Sequence, residues 1–152
     1  KMGDTVIHTK NAKFSIGRPV KITQGKDATL LVSGGILETA IKVVLELRKQ
    51  KIEVSLYSVP TVKPLDEKTY LGILKQSKQV FTLEEHSIIG GLGSAIGELI
   101  SENNVHVPFL RLGVPDRFTS VTGSIEYLLD YNGLSVDKLT NTILSVVNKR
   151  GK

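Results

Sequence analysis

Apolar positions along this chain switch between two periods, and the switching predicts its elements. Ala28-Thr29-Leu30-Leu31-Val32 is a continuous apolar run, short enough for a strand covered on both faces. Ser33-Gly34-Gly35 then turns the chain. Leu37, Ala40, Ile41, Val44 and Leu47 recur at helical spacing through about Gln50, the apolar stripe of an amphipathic helix. Arg48, Lys49 and Lys51 at its end suit the negative pole of the helix dipole. Ile52 to Tyr57 alternates as the next strand. A strand, a helix of about fifteen residues and a strand have the spacing of a βαβ crossover.

Ser58 to Leu65 carries Pro60 and Pro64 and reads as a loop, because each proline disfavours the helical state of the residue before it. Asp66 is placed to cap a short helix holding Tyr70, Leu71 and Leu74. Gln79 to Leu83 predicts a buried strand, Glu84-Glu85-His86-Ser87 a turn, and Ile88 to Gly93 a glycine-rich bend. A helix follows from Ser94 through Ile100 to Asn103; Gly97 inside it costs about 1 kcal/mol relative to Ala and suggests close packing. Val105 to Leu110 alternates, and Pro108 puts that strand at an edge or makes it irregular. Gly113 to Asp116 reads as a loop, Ser124 opens a helix to Tyr131, and Ser135 caps the last helix. Residues 1–26 read as a linker with a β-hairpin leading into a domain of residues 27–152, with Val20 to Thr23 as a strand. Alternating β and α elements without repeats predict an α/β fold, a three-layer sandwich around a mostly parallel sheet.

Charge placement adds to this picture. The formal net charge is +5. Six basic side chains against Asp4 lie in residues 1–26, and the remainder is balanced. Only Phe14 sits among those cations, so the segment reads as a solvated linker before a nucleic-acid arm. There are no cysteines, which removes thiol chemistry and Cys-based zinc and suits a reducing, cytoplasmic compartment. No apolar run is long enough to span a membrane, and Lys1-Met2-Gly3-Asp4-Thr5 lacks a signal-peptide core. A start at Lys1 is expected of a fragment or a processed chain.

Candidate chemistry concentrates between Glu84 and Gly93. Clustered carboxylates raise one another's pKa, so Glu84-Glu85-His86 reads either as an acid–base group or as a loop anchor facing another domain. A metal site is disfavoured, since no second His lies at i+3 or i+4. Gly90-Gly91-x-Gly93 before a helix start reads either as tight packing or as an anion site. It is not the dinucleotide fingerprint, and Ser33-Gly34-Gly35 is not a P-loop. Arg111 and Arg117 flank the Gly113 loop and read as salt-bridge partners or anion holders. His8 and His106 are isolated.

Several segments in order resemble the C-terminal domain of transketolases and their thiamine-diphosphate-dependent relatives. They are Phe14-x-Ile16-Gly17-Arg18, Asp27 to Gly35, Val62-Lys63-Pro64-Leu65-Asp66, Thr82 to Ala95, and Tyr131 to Leu134 with Asn132 inserted. The resemblance implies a five-stranded mixed sheet with one antiparallel strand. It implies a complete enzyme that moves a two-carbon ketol unit between sugar phosphates with thiamine diphosphate and magnesium. Deoxyxylulose phosphate synthases and 2-oxo acid dehydrogenase beta subunits share the domain. Gly3-Asp4-Thr5 lacks the second glycine of the family's cofactor motif, and the pyrimidine-binding domain with its Glu is not in the chain. The chain alone is therefore expected to hold no catalytic residue, no metal and no cofactor, and to be inactive. Its implied role is to brace a homodimer with the thiamine-binding domains, on the same or a separate polypeptide. Lys63, Glu85, His86, Gly90, Gly91, Gly93 and Arg111 are its expected interface or anion-site residues. The alternative is a free-standing or regulatory small-ligand module, with a closed polar pocket where the first reading expects an exposed apolar patch.

Overall fold

The structure, a computed structural model, describes residues 7–8, 13–118 and 120–149. Its elements in chain order are β1 (Val20–Thr23), β2 (Ala28–Val32), α1 (Leu37–Lys49), β3 (Val54–Ser58), α2 (Glu67–Gln76), β4 (Val80–Ser87), α3 (Leu92–Glu102), β5 (Phe109–Val114), α4 (Ile125–Tyr131) and α5 (Val136–Asn148). The strands form one sheet in the order β1-β3-β2-β4-β5. Only the β1–β3 pair is antiparallel. The chain is thus an α/β fold with a five-stranded mixed sheet between helices, as the family resemblance implies.

Period two on the central strands builds both layers. Every residue of β2 and β3 is buried, as parallel strands covered on two faces require. Leu30 and Val32 point into one cluster with Val43, Leu47, Leu139 and Ile143 of α1 and α5. Leu31, between them, points into the other, with Tyr70, Leu74, Leu92 and Ile96 of α2 and α3. Burial raises the Tyr70 phenol above its ordinary pKa of 10.0. The expected caps form at Asp66, whose Oδ1 accepts the Thr69 N–H at 3.0 Å, and at Ser124, whose Oγ accepts the Tyr127 N–H at 3.2 Å. Ser135 stands at the N-cap of α5, but its hydroxyl bonds Asp130 at 2.7 Å instead of capping.

Four local expectations are corrected. First, among the described residues no local hairpin forms around Val20–Thr23; that strand crosses to β3, pairing Val20 with Ser58 and Lys21 with Tyr57. Residues 1–6 and 9–12 of the expected linker lie outside the described residues. Second, Glu84 to Ser87 is not a turn but the polar end of β4. Its pairing runs from Leu83 opposite Leu112 to Ser87 opposite Val114, four steps on β4 against two on β5. Such an irregularity re-aims side chains near a strand end. Gly113 permits it, because a Cβ there would lie 2.8 Å from Ile88 Cγ2 and 3.2 Å from Glu84 Cγ. Third, the last strand starts after Pro108 and includes the Gly113-Val114 read as loop. Pro108 has no N–H for the ladder, and its carbonyl receives the Val80 N–H at 2.9 Å; the strand lies at the sheet edge. Fourth, α3 begins at Leu92, two residues early.

The order matters for position. The chain leaves β2 toward β3 on one side and returns to β4 on the other, so β2 and β4 meet at a switch point. In open α/β sheets a crevice opens there, at the carboxyl ends of the strands. Ser33, Gly34, Gly35, Glu85 and His86 gather at that end.

Candidate functional site

Adjacent residues on a strand point to opposite faces. Glu84 and Glu85 therefore part company at the end of β4, one toward each helical layer. The Glu84 carboxylate is 0% exposed. Its Oε2 accepts the Leu92 N–H at 2.8 Å, and its Oε1 the Gly93 N–H at 3.0 Å. Those are the first amides of α3, whose N-cap residue, Gly91, offers no side chain. A carboxylate there satisfies two orphan donors and faces the positive pole of the helix. Glu85, on the opposite face and exposed, accepts the Gly35 N–H at 3.3 Å just before α1. Ile36, the N-cap of α1, likewise makes no side-chain cap bond. One dipeptide thus serves the starts of two helices in two layers. The two carboxylates do not form the clustered acid–base pair considered from sequence, because the strand's alternation separates them.

The glycine bend is built around Glu84. At Gly91 a Cβ would run into the Glu84 carboxylate and come within 2.7 Å of His86 Cε1. At Gly93 it would lie 2.8 Å from the Arg111 stem and 2.9 Å from Thr82 Oγ1. Both glycines are thus explained by close approach. Gly90 has φ +76° and open space around it, a turn position that suits glycine. Ser94 and Arg111 fasten the loop. Ser94 Oγ accepts the Gly90 N–H at 2.9 Å, and Arg111 Nη1 donates to the Ile88 carbonyl at 3.0 Å. Arg111 is a loop latch, a role with no local sequence signal. His86 stands outside, its Nε2 3.6 Å from Glu84 Oε2 and its ring mostly in solvent.

Other candidates line two separate hollows. Glu85 and His86 line a crevice of about 640 Å³ with Ser33, Gly34, Gly35, Ser58 and Val59. Ile7 and His8 line it too, and His8 meets Phe14 edge-on at 4.9 Å between ring centres. Lys63, Gly90, Gly91 and Ser94 line a groove of about 520 Å³ with Glu67, Glu98 and Glu102. That groove holds one cation against three carboxylates, a poor setting for an anion. The anion-site reading of the glycine bend meets the same difficulty: the chain supplies its own anion, Glu84. Arg117 lies elsewhere, stacked on Tyr131 at 4.8 Å and bonded to its carbonyl at 3.2 Å. His106 joins neither hollow.

Thiamine diphosphate and its metal do not fit these residues. Among the described residues no three His, Asp or Glu side chains converge as a metal site needs. The helix starts that would meet a diphosphate are bonded by Glu84 and Glu85.

Comparison with known proteins places this geometry in a family. The family model "Transketolase, C-terminal domain" matches residues 17–139. A protein of Methanocaldococcus jannaschii provisionally named as a transketolase C-terminal section is 35% identical over 150 residues, covering 96% of this chain and 46% of that protein. A 1-deoxy-D-xylulose-5-phosphate synthase of Shouchella clausii is 30% identical over 141 residues, covering 93% of this chain and 22% of the synthase. A solved split-gene transketolase, described as an inactive β4 tetramer, superposes with a TM-score of 0.85 at 28% identity, covering 96% of this chain and 47% of that one. The chain thus spans under half the length of these relatives. A matching family model, a shared fold and a shared arrangement of strands and helices all agree: the chain belongs to the transketolase C-terminal domain family.

Proposed function

We propose that this chain is the C-terminal domain of a transketolase-like enzyme that transfers two-carbon ketol units between sugar phosphates, as in the pentose phosphate pathway. It assembles and braces the enzyme, and companion domains bind thiamine diphosphate and magnesium and carry out the reaction. The observation that carries this reading is the state of the carboxylates at the switch point. Glu84 is buried and bonded to two helix amides, and Glu85 is turned onto the start of α1. Glu84 held this way fixes the start of α3, and Glu85 ties down the turn ahead of α1. The exposed Lys63, Glu85, His86 and Gly90 then face the partner domains, while Gly91, Gly93 and Arg111 give the loop its shape. The working enzyme is a cytoplasmic homodimer in this reading, without nucleic-acid or membrane partners. No helix among the described residues is long and apolar enough to cross a membrane.

Reconstitution tests it. The chain is mixed with the polypeptide carrying the two cofactor-binding domains and assayed for ketol transfer with thiamine diphosphate and magnesium. Activity is expected only with both pieces, and none from the chain alone. Full activity of the companion by itself, or turnover by this chain alone, refutes the role.

A further inference from the structure

At the start of β2, away from the carboxyl-end crevice, a hollow of about 340 Å³ opens between the sheet and α2. Pairing sets its floor. Thr29 lies opposite Ser55, and both line the hollow with Tyr57, two residues along β3 on the same face. Helix α2 forms the other wall. Its Gly72 lines the hollow, and a Cβ there would meet nothing within 4 Å, so the helix leaves space where a larger side chain would fill it. Hydrogen bonds hold this frame. Ser55 Oγ accepts the Gly25 N–H and donates to the Gly25 carbonyl, both at 2.9 Å, and the Thr29 and Ser77 hydroxyls meet at 2.7 Å. Gly25 lies so close to β3 that a Cβ would collide with the Val54 backbone.

Every charged residue lining this hollow is a lysine: Lys21 from β1, Lys26 from the turn after it, and Lys78 from the link between α2 and β4. Lys21 and Lys26 belong to the basic lead that reads as solvated linker from sequence, and the fold brings them to the same hollow as Lys78. The Lys21 ammonium lies 5.6 Å from the Tyr57 ring centre and bonds Gln24 Oε1 at 2.7 Å. Two carboxylates stand nearby, Glu53 at 3.5 Å from Lys26 and Asp27 at 3.9 Å from Lys78. Neither lines the hollow. Both pairs are long and both lysines are mostly in solvent, so the pairs hold weakly and leave the ammonium groups open to a further anion.

We propose that this hollow binds the phosphate group of a small molecule, borne either by a polyhydroxy compound or by a di- or polyphosphate. Clustered ammonium groups attract a phosphate dianion as point charges, and the volume lies within the range of small-molecule sites. Gln24 and Gln76 line the hollow as well and add amide groups for the rest of the molecule. The backbone frame is already tied down, so binding has to order little more than lysine side chains. This site is separate from the glycine bend, where Glu84 already occupies the helix amides. It stands on this chain's own residues and does not depend on the assembly role proposed above.

The experiment titrates the isotope-labelled chain with pyrophosphate and with glucose 6-phosphate at fixed ionic strength and follows its amide resonances, which also report the fold of each variant. Glucose and sulfate are the control ligands. Saturable shifts are expected at Gly25, Lys26, Gln76 and Lys78. Lys21→Gln, Lys26→Gln and Lys78→Gln should each weaken binding at least ~5-fold, and Lys42→Gln, an exposed lysine on α1, should leave it unchanged. Gly72→Leu fills the hollow without altering charge and should weaken binding at least as much. If that variant does not fold, the lysine series, all at exposed positions, decides alone. Tighter binding of glucose 6-phosphate assigns the site to a phosphorylated polyhydroxy compound, and tighter binding of pyrophosphate assigns it to a polyphosphate. Absence of saturable shifts with both probes overturns the proposal. Sulfate binding as well as either probe means an adventitious ion only and overturns it too, as does undiminished binding in a folded Gly72→Leu, which puts the anion on an open lysine surface instead of in the hollow.

Discussion

Replacing Glu84 by Ala should damage this protein far more than replacing its neighbour Glu85. Glu84→Ala leaves the Leu92 and Gly93 amides at the start of α3 without acceptors in a buried site. Each orphaned buried donor costs about 1–3 kcal/mol. The side chain is fully buried, so its methylenes add a cavity contribution. The sum is about 3–5 kcal/mol, a large part of the ~5–15 kcal/mol that a domain possesses. Glu84→Gln should fall between, at about 2 kcal/mol, because its amide retains one oxygen acceptor and turns a donor toward a donor. Glu85 is exposed and gives one 3.3 Å bond to Gly35; its removal should cost under about 1 kcal/mol, since water replaces it. Urea denaturation followed by circular dichroism measures all three, with the midpoints compared at constant m-value. Hydrogen exchange adds a local readout: the Leu92 and Gly93 amides should lose protection in Glu84→Ala well before those of β2. A Glu84→Ala midpoint within about 1 kcal/mol of wild type, or equal costs for the two alanine variants, refutes the capping argument.

Two further outcomes follow from the geometry. Gly72 sits inside α2, and a Cβ there would meet nothing within 4 Å. Gly72→Ala should therefore stabilise by about 0.5–1 kcal/mol through helix propensity, read as a higher Tm. Asp66 is held below its ordinary value of 3.8, chiefly by the Thr69 backbone N–H and next by Arg18. A carboxyl group with a depressed folded pKa contributes stability above its unfolded pKa, and that contribution fades as pH falls through the folded value. The stability gap between wild type and Asp66→Asn should therefore be full from about pH 5 to 7 and shrink below about pH 4; a gap constant down to about pH 2 contradicts the assignment.

Much of the architecture is legible from local pattern. The β2–α1–β3 unit follows from a continuous apolar run, a helical stripe and an alternating run, each decided by neighbours within a few residues. The Asp66 and Ser124 caps are legible for the same reason, since cap and amide lie three residues apart. The site region is not. Glu84 to Ser87 reads as a turn because it is polar, yet its polarity belongs to a strand whose acceptors serve amides 8, 9 and 50 residues away. Arg111 reaches a carbonyl 23 residues away, and Val20–Thr23 finds its partner strand beyond α1. No local periodicity reports such distances. One signal was present: two helix starts, at Ile36 and Gly91, without a capping side chain of their own, and two carboxylates at the end of the strand between them. The family resemblance reaches the fold through whole segments at once, and so survives errors in single boundaries.

The adjacency of Glu84 and Glu85 has a consequence for how this sheet is proofread. Their side chains face opposite layers only while β4 keeps its place in the pleat. Insert or delete one residue ahead of them in β4 and each carboxylate turns to the other layer. Glu84, matched to a closed site, then lies in solvent, and Glu85 is pushed into a pocket shaped around Gly91 and Gly93. Both helices lose their anchor in the same event. A slipped strand here has no half-correct form, so a single dipeptide ties the register of the central sheet to the seating of both of its covers.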